Sequence, residues 1–333
     1  MKIIIPMAGA GKRMRPHTLT TPKPLIPLIG KPMVLHIVEE LAAMSKEKIE
    51  EIAFVIGDFG KEVEQNLVSI ANGIGANGSI YHQLEPLGTA HAIYCAKESL
   101  SGPVIVAFAD TLFKTDFHLD IKQDGYIWVK RVDNWQQFGV VKLDEQNMIS
   151  DFIEKPSTFI SDLAIIGIYF FRDGDYLKKE IEFLLENNIK DKGEFQLTSA
   201  LENMKNKGTR FIPAPVTEWL DCGNKDATVV THARVLEFSK EKNMVHSSAQ
   251  IVNSKIIQPS YVAEGASIIN SEVGPYVSIG NQTKVEDSVI SNSIVQNNSF
   301  IKNKTIRNSM IGSYVTLNGN SEEWSIGDYS TQG

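Results

Sequence analysis

Two clusters near the start of the chain have residue types and spacings that could handle phosphate chemistry. The first, Ala8-Gly9-Ala10-Gly11-Lys12-Arg13, follows directly on the apolar run Lys2–Met7. Glycines where a strand runs into a loop let backbone N–H groups approach a polyphosphate with no side chain in the way. Arg13 and Arg15 add cationic forks to that loop, suited to bidentate contacts with phosphate oxygens. Two better-known glycine loops are excluded. A dinucleotide fingerprint needs a third glycine where Met14 stands, and a P-loop needs Ser or Thr where Arg13 stands. The second cluster is Pro22-Lys23-Pro24-Leu25. Prolines fix their own φ and restrict the residue before them, so Lys23 is rigidly held. Alone, the glycine run matches any tight turn; with the spaced arginines and the fixed lysine, Ala8, Gly9, Gly11, Arg13 and Lys23 read as a grip on phosphates.

Further along, Asp110 closes the apolar run Val104–Ala109. Ligands in open α/β sheets sit at the carboxyl ends of strands, and a carboxylate there suits Mg²⁺, a hard cation that prefers oxygen. A single aspartate in this position is equally a turn former. Gln83-Leu84-Glu85-Pro86-Leu87-Gly88-Thr89-Ala90 lies between a strand and a helix. The Gln83 amide carries both a donor and an acceptor, Gly88 permits close backbone approach, and Thr89 is placed to cap the helix in a polar turn. The Glu154-Lys155 dipeptide, taken alone, reads as a solvated charge pair at a strand end.

The elements that must position these residues alternate in type. Strands are expected at Lys2–Met7, Glu51–Gly57, Ser79–Gln83 and Val104–Ala109. Helices are expected at Met33–Met44, Lys61–Ala71 and Thr89–Leu100. This rhythm predicts an α/β fold, a Rossmann-like, mostly parallel sheet with helices on both faces. Strand-rich segments follow at Tyr126–Val132, Phe138–Leu143, Met148–Glu154 and Leu163–Phe171. Helices come next at Tyr176–Asn187 and Gln196–Lys205, then strands at Thr209–Ala214 and Thr217–Asp221. A last helix, Lys225–Ser239, is expected to turn Val229, Val230, Ala233 and Leu236 to the core.

From about Val245 helical periodicity stops, and aliphatic residues recur every six positions among Asn, Ser and Gly. The series are Ile256, Val262 and Ile268, then Val273, Ile279 and Val285, then Ile294, Phe300 and Ile306. Ile311 and Leu317 continue the last one after a one-residue slip. A six-residue apolar repeat predicts a parallel β-helix, three hexads to a triangular coil. Two domains are therefore expected, 1–242 and 243–333.

Composition narrows the class. Hydrophobic residues make up 42% and charged residues 22%, ordinary values for a globular chain. No stretch approaches the roughly 18 apolar residues of a membrane span, and the short N-terminal apolar run enters glycine and basic residues rather than a cleavage site. Two cysteines, Cys95 and Cys222, make no disulfide framework and point to a reducing cytoplasm. A net charge of -7 without a basic block argues against nucleic acid as a partner.

On Gly9-Ala10-Gly11-Lys12-Arg13 and Pro22–Leu25, the chain resembles the sugar-1-phosphate nucleotidylyltransferases, or nucleotide-sugar pyrophosphorylases, whose Gly-rich G-x-G-x-R loop is followed by P-K-P-L. The closest likeness is to glucose-1-phosphate thymidylyltransferase-like members with a left-handed hexapeptide β-helix at the C-terminus. The resemblance implies the nucleotide-diphospho-sugar transferase fold and the reaction of an NTP with a sugar 1-phosphate to give NDP-sugar and pyrophosphate. It makes Gln83, Gly88 and Thr89 readers of the nucleotide, with Gln83 similar to uracil- and thymine-using branches. It pairs Asp110 with Asp221 of Trp219-Leu220-Asp221-Cys222-Gly223 as Mg²⁺ ligands, although Thr111 stands where many relatives have Asn. Phe138-Gly139-Val140-Val141 and Ile153-Glu154-Lys155-Pro156 match its sugar-pocket blocks. Lys155 would hold the sugar phosphate and Glu154 the sugar hydroxyls, with Gly139 and Gly167 leaving space beside the ring. Gly193–Thr198 resembles a G-E-x-x-x-T segment near the same pocket.

A sugar 1-phosphate is already an anionic nucleophile, so no general base is required. Positioning and charge neutralisation do the catalysis, with Arg13 on the leaving phosphates, Lys23 at the α-phosphate and Lys155 on the attacking phosphate. Glucose 1-phosphate with dTTP or UTP is the favoured substrate pair, and mannose 1-phosphate with GTP is the rival. An acyltransferase β-helix is the second reading, but all seven histidines lie at or before His246 and the repeats hold none. A catalytically dead regulatory paralogue is the third, against which Arg13, Lys23, Asp110, Lys155 and Asp221 all stand. The β-helix is then expected to serve assembly into a homo-oligomer or allosteric control, with Trp324 in a contact or as an end cap.

Overall fold

The computed structural model describes residues 1–319 and 325–332, so Trp324 lies outside the described residues. The chain divides into two compact units, Met1–Gly9 with Ile37–Trp219, and Ala10–His36 with Leu220–Gly333.

The first unit is built on a nine-stranded sheet. Its main path runs Ile149–Glu154, Gly139–Leu143, Leu163–Phe171, Val104–Ala107, Lys2–Pro6, Glu51–Ile56 and Asn77–His82; Gly125–Arg131 joins beside Leu163–Phe171, and Phe211–Pro215 beside Gly125–Arg131. The strands before residue 110 pair in parallel, with Ile4 opposite both Ala53 and Val106. The later ones are antiparallel where Leu163–Phe171 meets its neighbours and where Ile149–Glu154 meets Gly139–Leu143. The sheet is therefore mixed, and the expected parallel run is its N-terminal half. Lys2–Pro6 lies between Val104–Ala107 and Glu51–Ile56, so the strand order reverses there and opens a crevice at the carboxyl ends.

Both faces of the sheet are buried. Ile4, Ala53, Val55, Val104 and Val106 pack with the helices α3 (Thr89–Cys95), α4 (Gly174–Glu186) and α5 (Leu197–Asn206). The alternating residues Ile3, Ile5, Ile52, Phe54 and Ile105 are equally buried, as strands covered on two sides require. The helix α1 (Met33–Met44) buries Val34, Ile37, Val38 and Leu41, the face its periodicity predicts. The helix α2 (Lys61–Gly73) follows Glu51–Ile56, and α3 is shorter than expected.

In the second unit, three parallel sheets stack the repeat into a β-helix. Ile268, Val285, Ile301 and Leu317 align in one sheet, Val273, Ile290 and Ile306 in the next, and Val262, Ile279, Val295 and Ile311 in the third. All of these are buried at 0 or 1% exposure, each contributing ~1.5–3 kcal/mol by leaving water. The third predicted series is corrected by one residue in two places. Val295 and Ile301, not Ile294 and Phe300, fill the apolar column, because the coil turns some corners after five residues rather than six. The corners explain the asparagines. Asn253, Asn270, Asp287, Asn292, Asn303 and Asn308 hold positive φ, which short polar side chains tolerate best. Their side chains also form ladders, Asn253 to Asn270 at 2.9 Å and Asn292 to Asn308 at 2.7 Å.

The helix α6 (Lys225–Phe238), capped by Asn224 on the Ala227 N–H, differs from its predicted face. Val230 is 62% exposed, while Thr228, Thr231 and His232 are buried beside Val229 and Leu236. The buried face is polar because it is hydrogen-bonded. His232 Nε2 meets Ser278 Oγ of the β-helix at 2.6 Å, and the Thr231 hydroxyl donates to the Asp221 carbonyl at 2.6 Å. Full burial pushes the His232 imidazole down to about 3, so it is neutral.

Candidate active site

In the second unit, the glycine loop folds as a chain of short 3-10 turns at Lys12–Met14, His17–Leu19 and Lys23–Leu25. Gly11 begins it with φ 57, in the left-handed region, and a Cβ there would crowd Thr18 Cγ2 at 3.0 Å and Lys23 Cβ at 3.2 Å. Its carbonyl accepts the Thr18 hydroxyl at 2.9 Å. Gly11 is thus demanded by the loop's own fold. Arg13 is exposed and Lys23 is buried, so the lysine flanked by prolines is indeed held in place. Gly223 brings distant parts of the chain together. A Cβ there would fall 2.9 Å from Asp221 Oδ1 and 3.1 Å from Arg13 Nη2. The guanidinium of the glycine loop and the carboxylate from Trp219–Gly223 therefore share one small space, and the Gly223 N–H donates to Asp221 Oδ1 at 2.8 Å. Gly223 was not singled out from sequence; its place directly after Asp221-Cys222 was the available signal.

In the first unit, Ala8 and Gly9 close Lys2–Pro6, with the Gly9 Cα open on its side-chain side. Asp110 is exposed in the turn after Val104–Ala107, where the Ala109 N–H reaches the Pro6 carbonyl at 3.4 Å. Gln83 Nε2 donates to the Gly88 carbonyl at 3.3 Å and meets His91 Nδ1 at 3.1 Å. Burial lowers the His91 pKa, with Glu85 opposing, and opposite the donating Gln83 amide its Nδ1 is the acceptor. His91 is a residue that sequence reasoning missed, although it sits on the first turns of α3. Gly88, at φ 122, has a structural reason of its own: a Cβ would lie 2.5 Å from the Phe195 carbonyl oxygen. Thr89 does not cap α3; its hydroxyl accepts from the Leu197 N–H at 2.9 Å and donates to Gln196 Oε1 at 3.1 Å.

The Glu154 and Lys155 side chains lie side by side, Oε1 to Nζ 3.8 Å. Burial raises the Glu154 pKa, opposed by the Lys155 and Lys192 cations. Lys155 holds a positive φ of 43, a costly backbone state for a side chain with a Cβ. A brace holds it there. Lys192 Nζ donates to the Glu154 carbonyl at 2.8 Å and to the Lys155 carbonyl at 2.9 Å, while the Lys155 N–H reaches the Phe138 carbonyl at 3.1 Å. Lys192 was also missed; it directly precedes the Gly193–Thr198 segment. Gly139 makes room for the acid itself, since a Cβ would fall 3.0 Å from Glu154 Oε2. Gly167, at φ 84, sits in the irregular stretch of Leu163–Phe171 and its carbonyl takes the Phe108 N–H at 2.9 Å. Buried Tyr169 has its pKa raised, first by burial and then by Glu154 and Asp110, which puts its hydroxyl within the field of both carboxylates.

Asp110 and Asp221 each present exposed carboxylate oxygens, and among the described residues no group of three or more His, Cys, Asp or Glu is assembled. A carboxylate such as either of these supplies the hard oxygen that Mg²⁺ prefers. Among the described residues no helix is long and apolar enough to cross a membrane.

The nucleotidyl transferase family model matches residues 2–237, and the chain belongs to that family. It is 26% identical over 315 residues to a glucose-1-phosphate thymidylyltransferase of Streptomyces griseus, covering 87% of this chain and 85% of that one. It is 35% identical over 179 residues to the mannose-1-phosphate guanylyltransferase catalytic subunit beta of Drosophila melanogaster, covering 51% of this chain and 48% of that one. A crystal structure of apo-UDP-glucose pyrophosphorylase superposes with a TM-score of 0.59 at 25% identity, covering 72% of this chain and 98% of the other.

Proposed function

We propose that the protein transfers a nucleotidyl group from an NTP to a sugar 1-phosphate, releasing pyrophosphate, with glucose 1-phosphate and dTTP or UTP as substrates. The observation that carries this reading is the meeting of Arg13 and Asp221 at Gly223, a phosphate-binding fork beside a hard carboxylate, from two motifs far apart in the chain. The near full-length likeness to a glucose-1-phosphate thymidylyltransferase supports the sugar and the nucleotide. In this reading residues 1–242 carry the chemistry and 243–333 form a separate domain.

The sugar phosphate oxygen attacks the α-phosphorus and the bond to the pyrophosphate breaks. Ala8, Gly9 and Gly11 offer backbone to the triphosphate, Arg13 receives the leaving phosphates, and Lys23 neutralises the α-phosphate. Gln83, Gly88 and Thr89 line the base. Lys155 orients the attacking phosphate, and Glu154 accepts from sugar hydroxyls beside Gly139 and Gly167. Mg²⁺, with Asp110 and Asp221 as its protein ligands, would draw charge from the phosphates. The protein is read as cytoplasmic and homo-oligomeric, with neither nucleic acid nor membrane as partner.

One observation suits the guanylyl alternative as well as the thymidylyl or uridylyl one. The Gln83 amide nitrogen is already bonded to Gly88 and His91, leaving the amide oxygen, which accepts from the imide N–H of uracil or thymine and equally from guanine N1–H. Pyrophosphate release measured across four NTPs with glucose, mannose and N-acetylglucosamine 1-phosphates tests the assignment. Arg13→Ala and Asp110→Asn should each lower turnover by about 100-fold or more, the scale of losing one preorganised charge, with the fold intact; near-normal turnover in both would overturn it.

A further inference from the structure

One side of the β-helix, the sheet of Ser260–Val262, Val277–Ile279, Ser293–Val295, Met310–Ile311 and Ser325–Ile326, does more than close the coil. It receives α6 through His232 and Ser278, and with the turns that leave its strands it also receives the segment from Pro16 to Gly30. At one end, Tyr261 fills the space beside Gly30, where a Cβ would fall 2.2 Å from the tyrosine oxygen. Midway, Gln296 Nε2 donates to the Pro27 carbonyl at 3.2 Å. At the far end, His17, 5% exposed, meets Ser325 Oγ at 3.2 Å, and a Cβ on buried Gly327 would press Pro16 Cβ at 3.1 Å. Asp328 serves both sides. One carboxylate oxygen accepts the Ser313 N–H of the preceding coil at 2.7 Å, and the other accepts the Thr20 hydroxyl at 2.5 Å.

Five contacts, from this sheet's strands and the turns that directly follow them, thus seat residues 16–30, which hold Lys23 and follow Arg13, and His17 and Thr20 lie between those two cations in the chain. We propose that this face of the β-helix is a positioning platform for the phosphate-binding loop, with Gln296, Ser325 and Asp328 as positioning residues that act through Pro27, His17 and Thr20. The proposal rests on the reading of Arg13 and Lys23 as nucleotide contacts. It gives the solenoid a part in nucleotide binding within one chain, separate from any role in assembly.

Thr20→Val removes the loop's half of the far contact and leaves the coil untouched; Asp328→Ala removes both halves, and Asp328→Asn keeps an acceptor. In the full chain, hydrogen exchange at the amides of residues 11–25 should quicken ~10-fold in Thr20→Val and Asp328→Ala, the scale of one lost bond to a charged group. The KM for the nucleotide should rise ~10-fold while that for the sugar phosphate stays within about 2-fold, Asp328→Asn should recover most of the loss, and the double variant should be no worse than Asp328→Ala. Unchanged loop exchange in both single variants, or equal rises in the two KM values, would overturn the proposal. An unaltered protein with no transfer activity would overturn the reading of function instead, and loop exchange would still decide the docking.

Discussion

Lys192 offers the sharpest perturbation of the corner proposed above to hold the sugar phosphate. Its ammonium bonds two successive carbonyls, at 2.8 and 2.9 Å, and so holds Lys155 at φ 43. A left-handed backbone costs a residue with a Cβ roughly 1–2 kcal/mol, and a hydrogen bond to a charged group returns about 1.5 kcal/mol at the low end of its range, appropriate for an exposed lysine. The two terms are of similar size, so Lys192→Met leaves the strained turn without its counterweight. Lys155 should then leave its position most of the time, and about 1.4 kcal/mol of reorganisation lowers affinity ~10-fold. Steady-state kinetics should show the KM for the sugar 1-phosphate rising about 10-fold, with the nucleotide KM little changed. Lys192→Arg, which reaches the same carbonyls, should restore most of it. The melting temperature should fall by no more than about 2–4 °C, the shift expected for ~1 kcal/mol in a unit of this size. A sugar-phosphate KM within 2-fold of the unaltered protein would refute the brace.

Four further outcomes are expected. His91→Leu should free the Gln83 amide and change the ratio of kcat/KM among the NTPs by ~10-fold, the worth of one redirected hydrogen bond; an equal loss for every NTP would contradict that role. Gly223→Ala should cut turnover by at least ~10-fold by pushing Arg13 and Asp221 apart, since its Cβ would stand 2.9 Å from the Asp221 carboxylate, with unchanged circular dichroism. His232, held near 3 against an ordinary value of 6.5, stabilises the folded chain above pH 6.5, and that contribution is lost as pH falls toward 3. Between pH 7 and 5 it amounts to about 2 kcal/mol, so His232→Gln should show a smaller drop in melting temperature over that interval, and an identical drop would count against it. Glu154, raised by burial, should make activity fall on acidification at a higher pH than an ordinary glutamate would, and Glu154→Gln should flatten that limb of the pH profile.

Much of the fold was legible because its signals are periodic. Val34, Ile37, Val38 and Leu41 marked the buried stripe of α1, and Leu163–Phe171 was read to the residue. The failures have physical reasons. Val230 was assigned to the core of α6 on hydrophobicity, but the buried face is Thr228, Thr231 and His232, whose side chains bond the Asn224 carbonyl, the Asp221 carbonyl and Ser278 of the β-helix. Ile294 and Phe300 were one position off because the corners vary between five and six residues, and only stacking against the neighbouring coil, Val295 on Ile279 and Ile301 on Val285, sets the register. Arg13, Lys23 and Asp221, which the proposed function uses, stand in motifs that the sequence displays. Lys192 and His91 could not, because their roles come from bonds to carbonyls and to another side chain rather than from any pattern. Gly88 and Gly11 stood out as glycines for a ligand's sake, yet each also answers a local demand, the Phe195 backbone and the Thr18–Lys23 turn. The seating of residues 10–36 with the β-helix likewise joins segments that no local pattern relates.

The central claim is tested most directly by pyrophosphate release from the purified chain with Mg²⁺, each of the four NTPs, and glucose 1-phosphate. The account predicts turnover with dTTP or UTP, lost on chelation and in Arg13→Ala. Pyrophosphate release that needs no sugar phosphate, or none with any NTP and sugar 1-phosphate pair, would contradict it.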